Sequence, residues 1–216
     1  LTHRNMVSNF LSAAKVFRLS PQDKYLSILP LCHVGGRLGN YQTQYGGTSI
    51  YYAENMGTIA ANLSEIKADG FDAVPRVLEK FFEVILSKGN KLDGMKKMIF
   101  FWAVDLGLKY KPHGENGWLY ERKLKIADKL IFSKWREGLG GNIKAIVTGG
   151  AACQVKLIRI FTAAQIPIME GYGLTETSPV IAVNRYLVNG RKFGTVGPLI
   201  NGVEVRIAED GEILCK

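Results

Sequence analysis

The sequence predicts an α/β fold: a largely parallel sheet layered with helices, and a β-hairpin at the C-terminal end. Three observations carry this. Short apolar runs of strand length alternate with segments of helical apolar spacing, the pattern of crossover connections in a parallel sheet. The chain has 216 residues, 47% hydrophobic and only 7 proline, enough to bury a core and unlike a disordered or collagen-like chain. Near the end, two strand-like runs flank Asp210-Gly211, a hairpin turn pair.

Thr2 is placed to cap a first helix, whose apolar residues Met6, Phe10, Ala14 and Phe17 recur at helical spacing. Ser20-Pro21-Gln22-Asp23 reads as a second helix start, with the cap at Ser20 and proline at the first helical position. Residues 25–31 read as a buried strand closed by Cys32-His33, and Gly46-Gly47 precedes a strand over 48–53. A helix over 59–66, a strand over 71–74 and an apolar-rich helix opened by Pro75 follow. The middle is long helix, over 92–110 and 118–136, broken by the polar run Lys111-Pro112-His113-Gly114-Glu115-Asn116-Gly117. Alternation resumes with a strand over 143–147, a helix over 155–164 and a strand over 166–169; residues 203–208 and 212–215 make the hairpin.

The 28 Lys+Arg and 19 Asp+Glu leave a net charge of +9. Lys96, Lys97, Lys109, Lys111, Lys123, Lys125 and Lys129 lie among acids in helical pattern, which reads as a solvated face or an attraction to polyanionic substrates or anionic lipid, not as a nucleic-acid site. The scattered Cys32, Cys153 and Cys215 form no CxxC pair, and with His3, His33 and His113 far apart they suit neither a disulfide framework nor a zinc centre. The expected location is cytoplasmic, with peripheral contact at a membrane allowed. Trp102, Trp118 and Trp135 are expected to pack in the core or between helices, and Cys32 and Cys153 to be small buried side chains.

Two glycine-bearing segments follow consecutive strands: Val147-Thr148-Gly149-Gly150-Ala151-Ala152 and Glu170-Gly171-Tyr172-Gly173-Leu174-Thr175-Glu176-Thr177. Beyond the carboxyl ends of parallel strands, glycines let a ring or phosphate approach the main chain. Tyr172 offers a face for a base, Thr175 a hydroxyl for phosphate and Glu176 a hard oxygen ligand for Mg²⁺. The same residues also read as an ordinary turn, with Thr175 as a cap and Glu176 in solvent.

The run Gly171-Tyr172-Gly173-Leu174-Thr175-Glu176-Thr177-Ser178-Pro179 closely resembles the signature of the adenylate-forming superfamily of acyl-CoA synthetases, luciferases and nonribosomal adenylation domains. Further landmarks follow in the family's order. Leu1-Thr2-His3-Arg4-Asn5 is similar to the tail after its phosphate loop, Leu29-Pro30-Leu31-Cys32-His33-Val34 to its LPLxH segment, Gly149-Gly150-Ala151 to its GGA turn and Gly211-Glu212-Ile213 to its GE motif. Ala73-Val74-Pro75-Arg76-Val77-Leu78-Glu79-Lys80 and the helical pair after it look most like long-chain fatty acid–CoA ligases.

The resemblance implies ATP-dependent activation of a fatty acid to acyl-AMP and then, with coenzyme A, to acyl-CoA, with Mg²⁺ as cofactor. A ligase that loads a carrier protein and a non-catalytic nucleotide- or acyl-binding module are the alternatives. Carried over by position, Gly149, Gly150 and Ala151 line one side of the adenine site, Glu170 and Gly171 meet the adenine edge, and Tyr172 stacks on it. Thr175 holds phosphate, Glu176 binds Mg²⁺, and His33 sits near the carboxylate and thioester end of the acyl channel. Ala152-Cys153 stands where the family often has proline after its GGA turn. Residues 1–216 are then expected to be the central part of the large N-terminal domain, without the upstream phosphate loop, the ribose-binding aspartate or the C-terminal domain with its lysine, and to be inactive alone.

Overall fold

The computed structural model describes residues 1–16, 19–186 and 190–216, so Phe17 lies outside the described residues. A six-stranded sheet has the order β2-β1-β3-β4-β5-β6: β1 (Lys24–Ser27), β2 (Ser49–Tyr52), β3 (Gly70–Ala73), β4 (Ala145–Thr148), β5 (Ile168–Gly173) and β6 (Val180–Val183). Every pair is parallel except β5 with β6. The separate antiparallel hairpin of β7 (Val205–Ile207) and β8 (Ile213–Cys215) is where the Asp210-Gly211 turn puts it.

The first helix precedes the sheet, and the helices after it make the crossovers that parallel strands require. In chain order the helices are α1 (His3–Ala14), α2 (Val34–Tyr45), α3 (Ile59–Ile66), α4 (Pro75–Asn90), α5 (Gly94–Leu108), α6 (Trp118–Ala127), α7 (Ser133–Gly138) and α8 (Val155–Ala163). Thr2 caps α1 as its sequence suggests: its Oγ1 accepts the Asn5 amide at 3.2 Å while the Asn5 side chain accepts the Thr2 amide at 3.0 Å. Under the sheet, Leu26, Phe71 and Ile146 of the strands pack with Leu78, Leu157, Ile160 and Phe161 of the helices, all nearly free of solvent contact.

Several expectations are corrected. Ser20–Asp23 is a turn, not a helix start: the Asp23 carboxylate accepts the Ser20 amide at 2.7 Å, and the Asp23 amide donates to Ser20 O at 3.0 Å. β1 opens at the next residue, so no helix has room to form. That strand also stops at Ser27, because the chain turns at Pro30 to enter α2, a helix hidden by Gly35, Gly36 and Gly39. The strand expected over 166–169 runs on to Gly173, because β6 pairs with the glycine-bearing segment itself. The helix over 118–136 is interrupted by a π-helical stretch, Asp128–Phe132, where Arg136 Nη1 meets Asp128 Oδ1 at 2.5 Å and the carbonyl of Ala164 at 2.8 Å. Trp135 is buried, with its ring 5.0 Å from Phe132, but Trp102 and Trp118 are 38% and 63% exposed, on the solvated side of the helical pair. Cys32 is exposed while Cys153 is buried.

Gly89 of α4 lets α5 pass closely. A Cβ there would lie 2.6 Å from Phe100 Cζ and closer still to two other ring atoms. Helix propensity alone would make Gly89→Ala stabilising by about 1 kcal/mol. The buried Phe100 ring has nowhere to go, so urea unfolding should instead show a loss of roughly 1–3 kcal/mol; a gain would contradict this packing.

Candidate active site

A cavity of about 1120 Å³ opens at the carboxyl ends of β3, β4 and β5, where α1 and α2 cover the sheet. This is where an open parallel sheet places its ligands. Two close backbone approaches shape its wall. A Cβ at Gly149 would stand 3.1 Å from the Gly171 carbonyl, a tight contact that glycine relieves where the ends of β4 and β5 draw together. Gly150 then turns with φ +78°, a left-handed conformation that glycine adopts without strain.

Beyond Gly173 the chain makes a 3₁₀ turn, Thr175–Thr177, and returns as β6. Thr177 Oγ1 accepts the Leu174 amide at 2.9 Å and sits 2.7 Å from the Pro179 carbonyl. From α1, the buried Asn9 side chain donates to Val180 O at 2.9 Å and accepts the Val180 amide at 3.1 Å. The turn is therefore fixed from both sides, and Thr175 and Glu176 stay exposed on the cavity wall. Glu176 makes no hydrogen bond or ion pair among the described residues.

His33 caps α2, and its Nδ1 accepts the Gly35 amide at 3.2 Å. In the neutral ring the proton then sits on Nε2. The cavity brings together His33, Gly149, Gly150, Gly171, Tyr172, Thr175 and Glu176. Ala151 and the Glu170 side chain are not on its wall. Glu170 is buried, and its Oε1 accepts the Cys153 amide at 3.3 Å, which ties down the far end of the turn begun at Gly149. Burial raises the Glu170 carboxyl above its ordinary range, with opposing hydrogen bonds from the amides of Cys153 and Gly194. Burial, with Glu170 and Glu79 adding, pushes the Cys153 thiol up to about 12, which suits a packing side chain and not a nucleophile.

Sequence reasoning missed Asn9, which holds Val180, and a polar pair on the cavity wall. Asp72 of β3 and Tyr25 of β1 both line the cavity, and the Tyr25 hydroxyl stands beside the Asp72 carboxylate, where a bond from it favours the charged form. Burial lifts the Asp72 carboxyl to about 6, and the Tyr25 bond pulls the other way. An acid inside the apolar run Phe71–Val74 was the available signal.

The family described as AMP-binding enzyme matches residues 1–214. The chain is 31% identical over 222 residues to a Mycobacterium tuberculosis protein named long-chain-fatty-acid–CoA ligase FadD15, covering 100% of this chain and 36% of that one. It is 33% identical over 196 residues to Arabidopsis thaliana long chain acyl-CoA synthetase 3, covering 88% of this chain and 28% of that one. The chain thus spans about a third of the length of these relatives. Among solved structures it is similar in fold to the inhibitor-bound N-terminal domain of FACL13 from Mycobacterium tuberculosis (TM-score 0.65, 19% identity, 99% of this chain, 42% of that one). It is also similar to o-succinylbenzoate coenzyme A synthetase from Bacillus subtilis, solved with ATP and magnesium ion (TM-score 0.61, 17% identity, 99% of this chain, 34% of that one).

The raised Asp72 carboxyl sets a pH dependence of stability. Its folded value of about 6 exceeds the ordinary 3.8, so the folded protein holds this proton more tightly and stability falls as pH rises between the two. At about 1.4 kcal/mol per unit, the loss is on the order of 2–3 kcal/mol. Asp72→Asn has no proton to lose there. In urea unfolding of the full-length protein, its stability relative to wild type should rise by that amount from pH 4 to pH 7; a flat difference would refute the raised value.

Proposed function

Since the chain belongs to the AMP-binding enzyme family, we propose that the full-length protein activates a long-chain fatty acid with ATP and transfers the acyl group to coenzyme A. The observation that carries this reading is the convergence of the two glycine-bearing segments, Tyr172, Thr175, Glu176 and His33 on one cavity. The relatives named as long-chain ligases support the choice of acid.

In this reading a carboxylate oxygen attacks the α-phosphorus of ATP and the bond to pyrophosphate breaks, giving acyl-AMP. The thiol sulfur of coenzyme A, its proton lost, then attacks the acyl carbonyl, and the bond to AMP breaks. Most of the acceleration comes from holding the reactants in line and offsetting charge. Tyr172 takes the adenine against its ring, while Gly149, Gly150 and Gly171 let the base lie close to main chain. Glu170 acts from behind by holding the Cys153 amide, and Ala151 belongs to the same turn. The Thr175 hydroxyl donates to a phosphate oxygen. The Nε2 proton of His33 faces the carboxylate end of the acyl chain, and Leu29, Leu38 and Val74 supply apolar wall. Each methylene buried there contributes about 0.8 kcal/mol, which favours long acids over short ones.

The donor set fits Mg²⁺ held mostly by substrate. The described residues contain no group of three or more His, Cys, Asp or Glu able to cage a metal, whereas Glu176 presents an unpaired hard oxygen on the wall. Glu176 would hold the ion, and bound Mg²⁺ would offset the charge of the phosphates.

The test assays the two half-reactions of the full-length protein separately. Wild type should exchange pyrophosphate into ATP in the presence of a long-chain fatty acid, and Glu176→Gln should lower that exchange at least about tenfold and raise the Mg²⁺ needed. Thioester formation from supplied acyl-adenylate should fall far less, because pyrophosphate has left by then. Unchanged exchange and unchanged Mg²⁺ dependence in a folded variant would remove Glu176 from the site; no exchange by wild type with any acid would overturn the function.

A further inference from the structure

Asp72 stands on the part of the cavity wall that an alkyl chain would need. The strand order β1-β3-β4-β5 puts it two strands from β5, roughly 10 Å from the side that carries Thr175 and Glu176. Register sets Tyr25 opposite Gly70 and Asp72 opposite Val147, so Tyr25, Asp72 and Val147 share one face of the sheet. Gly39 of α2 passes directly over the pair. A Cβ there would lie 2.7 Å from Tyr25 Oη and nearer still to Asp72 Oδ2, so the helix can cross the carboxyl only at glycine. Val147 stands opposite Asp72 on the neighbouring strand, and Leu29, Leu38 and Val74 add apolar wall to the same cavity.

Asp72 has no ion pair among the described residues. Tyr25 supplies one hydrogen bond, whereas a carboxylate can accept about four. Asp72 also lines the cavity, where that capacity can be met. A plain alkyl chain laid against it would remove its water and return nothing, leaving a carboxyl that must take up a proton or stay charged with Tyr25 as its neighbour. A chain carrying one O–H at that depth would supply the missing donor.

We infer that Asp72, positioned by Tyr25 and admitted by Gly39, is a polar subsite in the acyl part of the cavity that takes the hydroxyl of a hydroxylated fatty acid. This rests on the acid-activating reading above and adds the substrate class to it. The hydroxyl donates to the Asp72 carboxylate while the hydrocarbon on either side packs on Leu38 and Val147. Selection comes from the competitor's failure: sites that bond a substrate hydroxyl discriminate strongly against the analogue lacking it, because their own polar group is then stranded.

The experiment uses the full-length protein and a series of saturated acids of one length, unsubstituted or with a single hydroxyl at successive carbons. Adenylation is followed by pyrophosphate release, and binding without ATP by displacement of a fluorescent fatty acid. At one hydroxyl position kcat/KM should exceed that of the plain acid at least about tenfold, with tighter binding to match. Asp72→Leu should abolish that preference and Asp72→Asn, which keeps an acceptor, should retain part of it. If Asp72→Leu does not fold, the wild-type series and Asp72→Asn decide the matter. A plain acid equal to or better than every hydroxylated one, or a preference that survives Asp72→Leu, overturns the subsite and leaves acid activation standing. Failure to adenylate any acid overturns the activity and the subsite with it.

Discussion

The carbonyl of Pro179 occupies the space that a side chain at position 173 would need, and it accepts the Leu174 amide at 3.1 Å. Only glycine at the end of β5 lets the chain fold back so tightly. That return makes β6 possible, and β6 closes the sheet edge in antiparallel pairing. It also lifts Thr175 and Glu176 out of the ladder and onto the cavity wall. Asn9 completes the arrangement by bonding the amide and carbonyl of Val180, so α1 is tied to the same return. The position of Thr175 and Glu176 on the cavity wall depends on this return, which the close contact at Gly173 permits and Asn9 secures.

The opposite end of the sheet is held by charge. Lys144, just before β4, pairs with Asp23 and lies 3.4 Å from Asp69, while the Asp69 carboxylate accepts the Lys24 amide at 2.9 Å. Burial raises the Asp23 carboxyl, but bonds from Lys144 and Ser20 outweigh it and leave the group below its ordinary range. The amino ends of β1, β3 and β4 are thereby gathered where no ligand is expected. Their carboxyl ends are left to glycines and short loops, the division of labour usual in parallel sheets.

Elements whose apolar residues repeat cleanly were legible in the sequence: α3, α4, β3 and the terminal hairpin fall close to their expected places. Elements whose formation depends on a distant partner were not. α2 carries Gly35, Gly36 and Gly39, which erase helical periodicity, and the reason for Gly39 is Asp72, far along the chain. β6 and the strand character of Gly171–Gly173 exist only through their pairing with each other. The tryptophans show the limit of residue type as a guide, since Trp135 packs on Phe132 whereas Trp118 lies in solvent under Arg122, 4.8 Å from its ring centre. At the site, the motif residues on the wall were legible because they stand in compact segments. The inward direction of Asp72 was not, because it is set by register with β1 and β4.

The central claim is that Tyr172 and the glycines at the ends of β4 and β5 form the seat of an acyl-adenylate. A crystal structure of the full-length protein with a non-hydrolysable acyl-adenylate analogue tests it most directly. The account predicts the adenine ring against Tyr172, beside the main chain of Gly149 and Gly150, with the acyl chain running toward Asp72. An analogue bound away from Tyr172, or a cavity left unoccupied at a saturating concentration, would contradict it.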